Sequence, residues 1–171
     1  MRIEIHHMIG KKVCAELKEL GYQIHEKLFL IGNLFPDLIH SYIWCRHEYL
    51  HSREYIRRKL EKLKKRPKLF SFHLGVLAHY ICDYFCYPHS AAYDKGFIHH
   101  VSYEIRQKIP EKHYKTNLNI KAFTIEELDK YVNWYDNSRA SFDDDESDFH
   151  IAAIVTSNFL QGGAASLVPA M

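Results

Sequence analysis

The sequence has little glycine, proline or cysteine, and it has no long apolar run. Its 171 residues include only 7 Gly, 5 Pro and 4 Cys, which excludes collagen-like and low-complexity chains. The cysteines form no C-x2-C pair and are too sparse for a disulfide scaffold, so we expect buried free thiols. No stretch approaches the ~18 apolar residues of a membrane span, and the N-terminus lacks the apolar run of a secretion signal. These absences predict a cytoplasmic protein.

The charge balance gives no support for a nucleic-acid partner, although it does not exclude one. The net charge is +2 and the sequence pI is about 8.3, which is too mild to indicate nucleic-acid binding by charge alone. The hydrophobic fraction of 47% is ordinary for a globular protein. We therefore predict a single domain over residues 1–163, followed by a loose C-terminal tail over 164–171.

Apolar residues recur at helical spacing along most of the chain, and clean alternation is scarce. The pattern predicts seven or eight helices and an all-α fold. We expect the second apolar segment to end at Pro36 and a further helix to begin at Asp37, because proline interrupts helices. We expect Thr124 to cap a later helix, and Gly162 with Gly163 to end the last helix near Leu160.

Histidine is the abundant residue, with 13 copies in the chain. His79 and Asp83 are four residues apart, which places them on one helix face, and His100 and Glu104 repeat this spacing. His89 lies between the two pairs. Carboxylates on such apolar segments are costly to bury unless they are paired or bind a metal, and imidazole with carboxylate is a zinc-type ligand set.

Three upstream regions add candidates. Helical phase turns His6 inward, on the same face as Ile9. Asp37 follows Pro36, so it is either a helix N-cap or a functional carboxylate. His47 and His51 are also four residues apart, and helical phase does not choose between them.

The motifs together resemble the zinc-dependent phospholipase C family over about the first 60% of the chain. They are, in order, His6-x2-Ile9-Gly10, Gly32-Asn33-Leu34-Phe35-Pro36-Asp37, Arg46-His47, His79-x3-Asp83-x5-His89 and His100-x3-Glu104. The resemblance implies a compact all-α bundle around a metal cluster. Fungal single-strand nucleases resemble the same fold and share its phosphodiester chemistry.

The resemblance also implies roles for individual residues. His47, His79 and Asp83 would hold one zinc, and His89, His100 and Glu104 a second. Asp83 would bridge to a third zinc with His6 and, in the family, the free N-terminal residue of the mature chain. Asp37 would orient or deprotonate the attacking water. The implied reaction is hydrolysis of a small phosphodiester or phospholipid by metal-activated water, with two or three zinc ions.

Other functions remain open at this point. A non-catalytic metal-binding protein could keep the same fold and ligands. A ferritin-like di-iron bundle would use the E-x2-H matches Glu4-x2-His7 and Glu48-x2-His51, but it leaves both His-x3-acid pairs unexplained. A serine hydrolase is disfavoured because no G-x-S-x-G occurs. A phosphohydrolase of the His-Asp type is disfavoured because none of the 13 histidines is immediately followed by an aspartate.

Overall fold

The computed structural model describes residues 1–39, 47–65, 68–107, 124–139 and 145–167. Those residues contain no strand, so the all-α prediction is confirmed. No described helix combines the length and the apolar character that a membrane span requires. The elements are α1 (Ile3–Glu19), α2 (Glu26–Leu38), α3 (Tyr49–Lys64), α4 (Phe70–Tyr84), a 3-10 helix (Tyr87–His89), α5 (Gly96–Arg106), α6 (Ile125–Arg139) and α7 (Asp145–Leu167).

Helix α4 lies at the centre of the molecule. Twelve of its fifteen residues are buried, and α1, α2, α3 and α7 all pack against it. A helix that is apolar around its whole circumference must be surrounded by other elements. The polar side chains of His79 and Asp83 on α4 are therefore carried into the core rather than to the surface.

Helices α2 and α4 cross with their backbones in contact. A Cβ atom at Gly32 would lie 2.0 Å from the carbonyl oxygen of Phe72, and one at Gly75 would lie 2.0 Å from that of Phe29. No other residue type fits at these two positions without moving a helix. Glycine at both positions allows the approach that brings polar groups of α2 beside those of α4.

The prediction that Pro36 ends a helix and Asp37 begins the next one is wrong. Both residues lie inside α2, which continues to Leu38. A proline this close to the helix end removes one backbone hydrogen bond in the last turn, and the packing of α2 on α4 outweighs that loss. Asp37 is therefore not an N-cap. Residues 40–46, which include Arg46 of the sequence motif, lie outside the described residues.

The predicted end of the last helix is also wrong. Helix α7 continues past Gly162 and Gly163 to Leu167. Each glycine costs a helix only about 1 kcal/mol relative to alanine, and fully buried residues of α7 such as Phe159 and Leu160 hold it in place. The predicted cap of α6 is confirmed, because the Glu127 N–H donates to Thr124 Oγ1 at 3.2 Å.

Three of the four cysteines confirm the free-thiol prediction. Cys14, Cys82 and Cys86 are buried and not disulfide-bonded. Burial raises the pKa of all three thiols, that of Cys82 to about 12. They are therefore protonated packing residues at neutral pH. Cys45 lies outside the described residues.

Candidate metal centre

The buried carboxylate of Asp83 is the centre of a polar cluster in the core. Its Oδ1 lies 2.9 Å from the α-amino nitrogen of Met1 and 3.0 Å from His6 Nε2. Its Oδ2 lies 2.7 Å from His47 Nδ1 and 3.2 Å from His79 Nε2. The two oxygens of one carboxylate thus face two separate pairs of nitrogen atoms.

A second group adjoins the first through the amino group of Met1. The Met1 nitrogen lies 3.0 Å from Glu104 Oε1 and 2.9 Å from His89 Nε2. Glu104 Oε1 also lies 3.2 Å from His100 Nε2 and 3.8 Å from His89 Nε2. His89 Nε2 is 3.7 Å from Asp83 Oδ1, so the two groups form one continuous cluster.

Asp37 lies at the partly exposed edge of the cluster. Its Oδ1 is 3.6 Å from His79 Nε2 and 3.9 Å from His47 Nδ1. A quarter of its side chain is exposed, whereas His79 is fully buried. Burial raises the pKa of the Asp37 carboxyl, although the nearby His79 opposes the shift. The Asp37 carboxylate is therefore partly exposed to solvent and more basic than an ordinary aspartate.

The structure brings together all eight residues that the sequence analysis selected. Helices α1, α2, α4 and α5, the 3-10 helix and the residue two positions before α3 each contribute to the cluster. Overlapping sets of three ligand atoms lie within 4.8 Å of one another. The sets are His6–His79–Asp83, Asp37–His47–His79, His47–Asp83–His89 and His89–His100–Glu104.

The crossing of α2 and α4 orients one of these imidazoles. His79 Nδ1 donates to the carbonyl oxygen of Asn33 at 2.9 Å, which directs Nε2 toward Asp83 and Asp37. A backbone acceptor on the far nitrogen is the usual way to fix the tautomer of a ligating histidine. The ring of His6 stacks on that of His79, with centroids 3.9 Å apart.

Two histidines of the cluster, His6 and His89, are held in their neutral form. Burial, with a smaller contribution from His79, lowers the pKa of His6 to about 3. Burial, together with the ammonium of Met1, lowers the pKa of His89 to about 4. Both imidazoles therefore carry an available lone pair at neutral pH, as metal ligation requires.

Two carboxylates of the cluster, those of Asp83 and Glu104, are held in their charged form. Burial alone would raise the pKa of Asp83. The positive charge of the Met1 ammonium, followed by the contribution of His89, outweighs burial, so the pKa of Asp83 falls well below its usual range. Burial also tends to raise the pKa of Glu104. Hydrogen bonds from His100 and His89, together with the Met1 ammonium, outweigh burial and lower this pKa. Charged carboxylates beside neutral imidazoles attract a cation.

This donor set fits zinc. Three carboxylates, those of Asp37, Asp83 and Glu104, converge with imidazole nitrogens and one amine in a largely buried space. All these donors are nitrogen or oxygen, the ligand types that zinc accepts alongside thiolate. His6 Nδ1 is also buried without a hydrogen-bond partner among the described residues.

The sequence model of the family described as zinc dependent phospholipase C matches residues 5–143. The chain belongs to this family. The match covers most of the chain and includes all eight candidate site residues, so the suspected resemblance to zinc-dependent phospholipase C is confirmed. No curated protein and no solved structure shows a significant match to the chain.

Membership in the zinc-dependent phospholipase C family removes the di-iron alternative, and the geometry agrees. Glu4 is 57% exposed. Glu48 and His51 pair with each other at the surface, where His51 Nδ1 lies 2.7 Å from Glu48 Oε2 and both side chains are about half exposed. The geometry also separates His47 from His51, because only His47 reaches the cluster.

One group in the cluster was not among the residues selected from the sequence. The α-amino group of Met1 contacts Asp83, His89 and Glu104, and the residue is only 4% exposed. A backbone terminus has no side-chain pattern to detect, so the resemblance to the family was the one available signal. An extension before Met1 would displace this amine, so experiments on the site require a C-terminal tag.

We expect the stability of chelator-treated protein to fall as the pH is lowered from 7 to 5. Unfolded histidine titrates near 6.5, whereas folded His6 and His89 titrate near 3 and 4. The unfolded chain therefore takes up protons that the folded chain does not. The loss is roughly 2 kcal/mol for each histidine over this interval, and urea unfolding at several pH values measures it.

The pKa of His47 shifts in the direction opposite to those of His6 and His89. Burial lowers its pKa, but the hydrogen bond and charge of Asp83 outweigh burial and raise it. Its stabilising contribution is therefore lost as the pH rises. An unfolding free energy that is flat or rising between pH 7 and 5 would contradict the assignment of His6 and His89 as neutral. The variant His89→Gln should show at most about half of the wild-type change, since His47 still offsets part of the loss.

Proposed function

We propose that this family member hydrolyses phosphodiester bonds with two or three zinc ions in the Asp83 cluster. The observation that carries the proposal is the sharing of one buried carboxylate by nitrogen atoms from several different segments. The first ion would be held by His47, His79 and Asp83, and the second by His89, His100 and Glu104. Asp83 Oδ1, His6 and the Met1 amine would hold a third. Burial lowers the pKa of the Met1 ammonium, but the nearby acidic groups, Asp83 above all, outweigh burial and raise it, so this group would have to release a proton when the ion binds.

Zinc bound here would lower the pKa of a water molecule and neutralise the charge on phosphoryl oxygens. The chain itself contributes the geometry. The α2–α4 crossing fixes His79, and the neutral state of His6 and His89 makes their lone pairs available without loss of a proton. Asp37 Oδ1, at the accessible edge, is placed to accept the proton of the attacking water.

A small hollow adjoins the cluster. It reaches the cluster through His89, and its volume is about 40 Å³. The residues that line it include the acidic Glu48 and Asp136 and the tyrosines Tyr49 and Tyr84. Carboxylates and aromatic faces both favour cations. We put a phospholipid first among the candidate substrates, because the chain belongs to a phospholipase C family, and simple phosphodiesters second.

Replacing Asp37 tests this function. We expect Asp37→Asn to keep the wild-type zinc content but to lower kcat about 100-fold, because a positioned general base contributes about that much or more. Zinc is measured by elemental analysis. Hydrolysis is measured with bis(p-nitrophenyl) phosphate, a dinucleotide and phosphatidylcholine vesicles. The exposed Asp94 offers the control Asp94→Asn, which should match wild type in both measurements.

Each contrary outcome has a distinct meaning. Loss of zinc in Asp37→Asn would make Asp37 a ligand, as its set with His47 and His79 also permits. Wild-type protein that binds zinc but hydrolyses none of the three substrates would favour the non-catalytic alternative. Wild-type protein that takes up no zinc would overturn the proposal. A cytoplasmic site of action remains a prediction from the sequence.

A further inference from the structure

A buried carboxylate outside the metal cluster connects two of the segments that form it. Asp148 lies in the first turns of α7 and is fully buried. Its Oδ2 accepts the backbone N–H of Tyr87 at 2.8 Å and also the hydroxyl of Tyr103. Its Oδ1 accepts the hydroxyl of Tyr135 at 2.5 Å. A carboxylate buried this completely requires such donors.

Two of the three donors belong to segments that carry cluster residues. Tyr87 begins the 3-10 helix whose last residue is His89. Tyr103 directly precedes Glu104 on α5 and lies three residues after His100. One oxygen of Asp148 therefore joins the two segments that supply the His89–His100–Glu104 set. None of these three donors is itself a member of that set.

Helix α5 depends on Tyr103 for its position. The structure describes every residue of α5, and among these only Tyr103 is buried. Phe97, Ile98 and Ile105 on the same helix are each more than 70% exposed. The next anchor lies just beyond the helix end, where the backbone carbonyl of Gln107 accepts from Arg2.

We propose that Asp148 is a positioning residue that, through the Tyr87 N–H and the Tyr103 hydroxyl, fixes His89, His100 and Glu104 relative to one another. The inference rests on the proposed zinc site. Ligands held at the right spacing bind a metal more tightly than ligands that must be gathered, and loss of an outer partner typically lowers metal affinity about 10–100-fold.

The two tyrosines that donate to Asp148 form a matched pair for the test. Tyr103 and Tyr135 are each 1% exposed, and each donates its hydroxyl to one Asp148 oxygen. Tyr135 lies on α6, which contributes no residue to the described metal sets. Tyr103→Phe and Tyr135→Phe therefore remove equivalent hydrogen bonds, but only the first disconnects a helix that carries ligands.

The experiment is a zinc titration of chelator-treated full-length protein in competition with a chromogenic chelator. We expect Tyr103→Phe to weaken one zinc per chain about 10–100-fold, whereas the remaining zinc sites keep their wild-type affinity. Tyr135→Phe should stay within about threefold of wild type at every site, although both variants lose similar stability in urea. The cobalt-substituted protein gives a second readout, because its visible absorption should change in Tyr103→Phe alone.

Asp148→Asn supplies an independent test, since it keeps the side-chain shape but loses the charge. It should reproduce the loss at one zinc site. Unchanged affinity in Tyr103→Phe and Asp148→Asn, or equal loss in the two tyrosine variants, would overturn the positioning role and leave the zinc site standing. Wild-type protein that binds no zinc would overturn the proposed function and this inference together.

Discussion

Asp83→Asn should reduce the zinc content to at most one ion per chain and lower phosphodiester hydrolysis by at least about 10³-fold. Both oxygens of Asp83 face ligand nitrogens, with His47 and His79 on one side and His6 and the Met1 amine on the other. Asparagine keeps the shape but offers a single neutral acceptor, so it cannot bridge two cations.

The surviving ion identifies which part of the cluster is independent. His89, His100 and Glu104 form a set that does not include Asp83, so this set should retain its metal in the variant. Asp94→Asn again serves as the control, because Asp94 is an exposed aspartate outside the described metal sets. Full zinc content in Asp83→Asn would show that Asp83 is not the shared ligand, and the proposed site would fail.

Gly75→Ala should destabilise the protein by about 3 kcal/mol or more and should also lower the zinc content. Its Cβ would lie 2.0 Å from the carbonyl oxygen of Phe29 and 2.8 Å from the amide nitrogen of Asn33. Both obstacles are backbone atoms, so a whole helix must move. Overpacking a core commonly costs about 1–3 kcal/mol, and more where the backbone shifts.

The same displacement would reach the candidate site. Moving α2 away from α4 lengthens the hydrogen bond from His79 Nδ1 to the Asn33 carbonyl and separates Asp37 from His79. Urea unfolding measures the stability, and elemental analysis measures the zinc.

Gly96→Ala is the control for this substitution. Gly96 has φ +74° with no atom within 4 Å of an added Cβ, so only a backbone cost of about 1 kcal/mol is expected. A Gly75→Ala variant no less stable than Gly96→Ala would contradict the close crossing of α2 and α4.

Local spacing was sufficient to predict the parts of the site that lie on one helix. The four-residue separations of His79 from Asp83 and of His100 from Glu104 place each pair on one face, and both pairs enter the cluster. Helical phase likewise predicted that His6 turns inward, and it is fully buried. These features depend on a single helix, so the sequence contains them directly.

Features that depend on contacts between distant segments were not predictable in this way. Phase alone did not separate His47 from His51, because the choice depends on where the chain meets α4. The continuation of α2 through Pro36 depends on packing against α4, which outweighs a local propensity. The sequence contains no local signal for the contacts of Asp148, because its tyrosine partners lie 13 to 61 positions away.

The single buried residue of α5 gives the cluster two unequal local stabilities. His79 and Asp83 lie on α4, which the other helices surround. Their part of the site therefore comes apart only when the core unfolds. His100 and Glu104 lie on a helix held by Tyr103 and by the residue that follows its last turn. Segments with few buried contacts open at low free energy without global unfolding. Local opening of α5 would therefore expose one half of the site while the other half stays assembled.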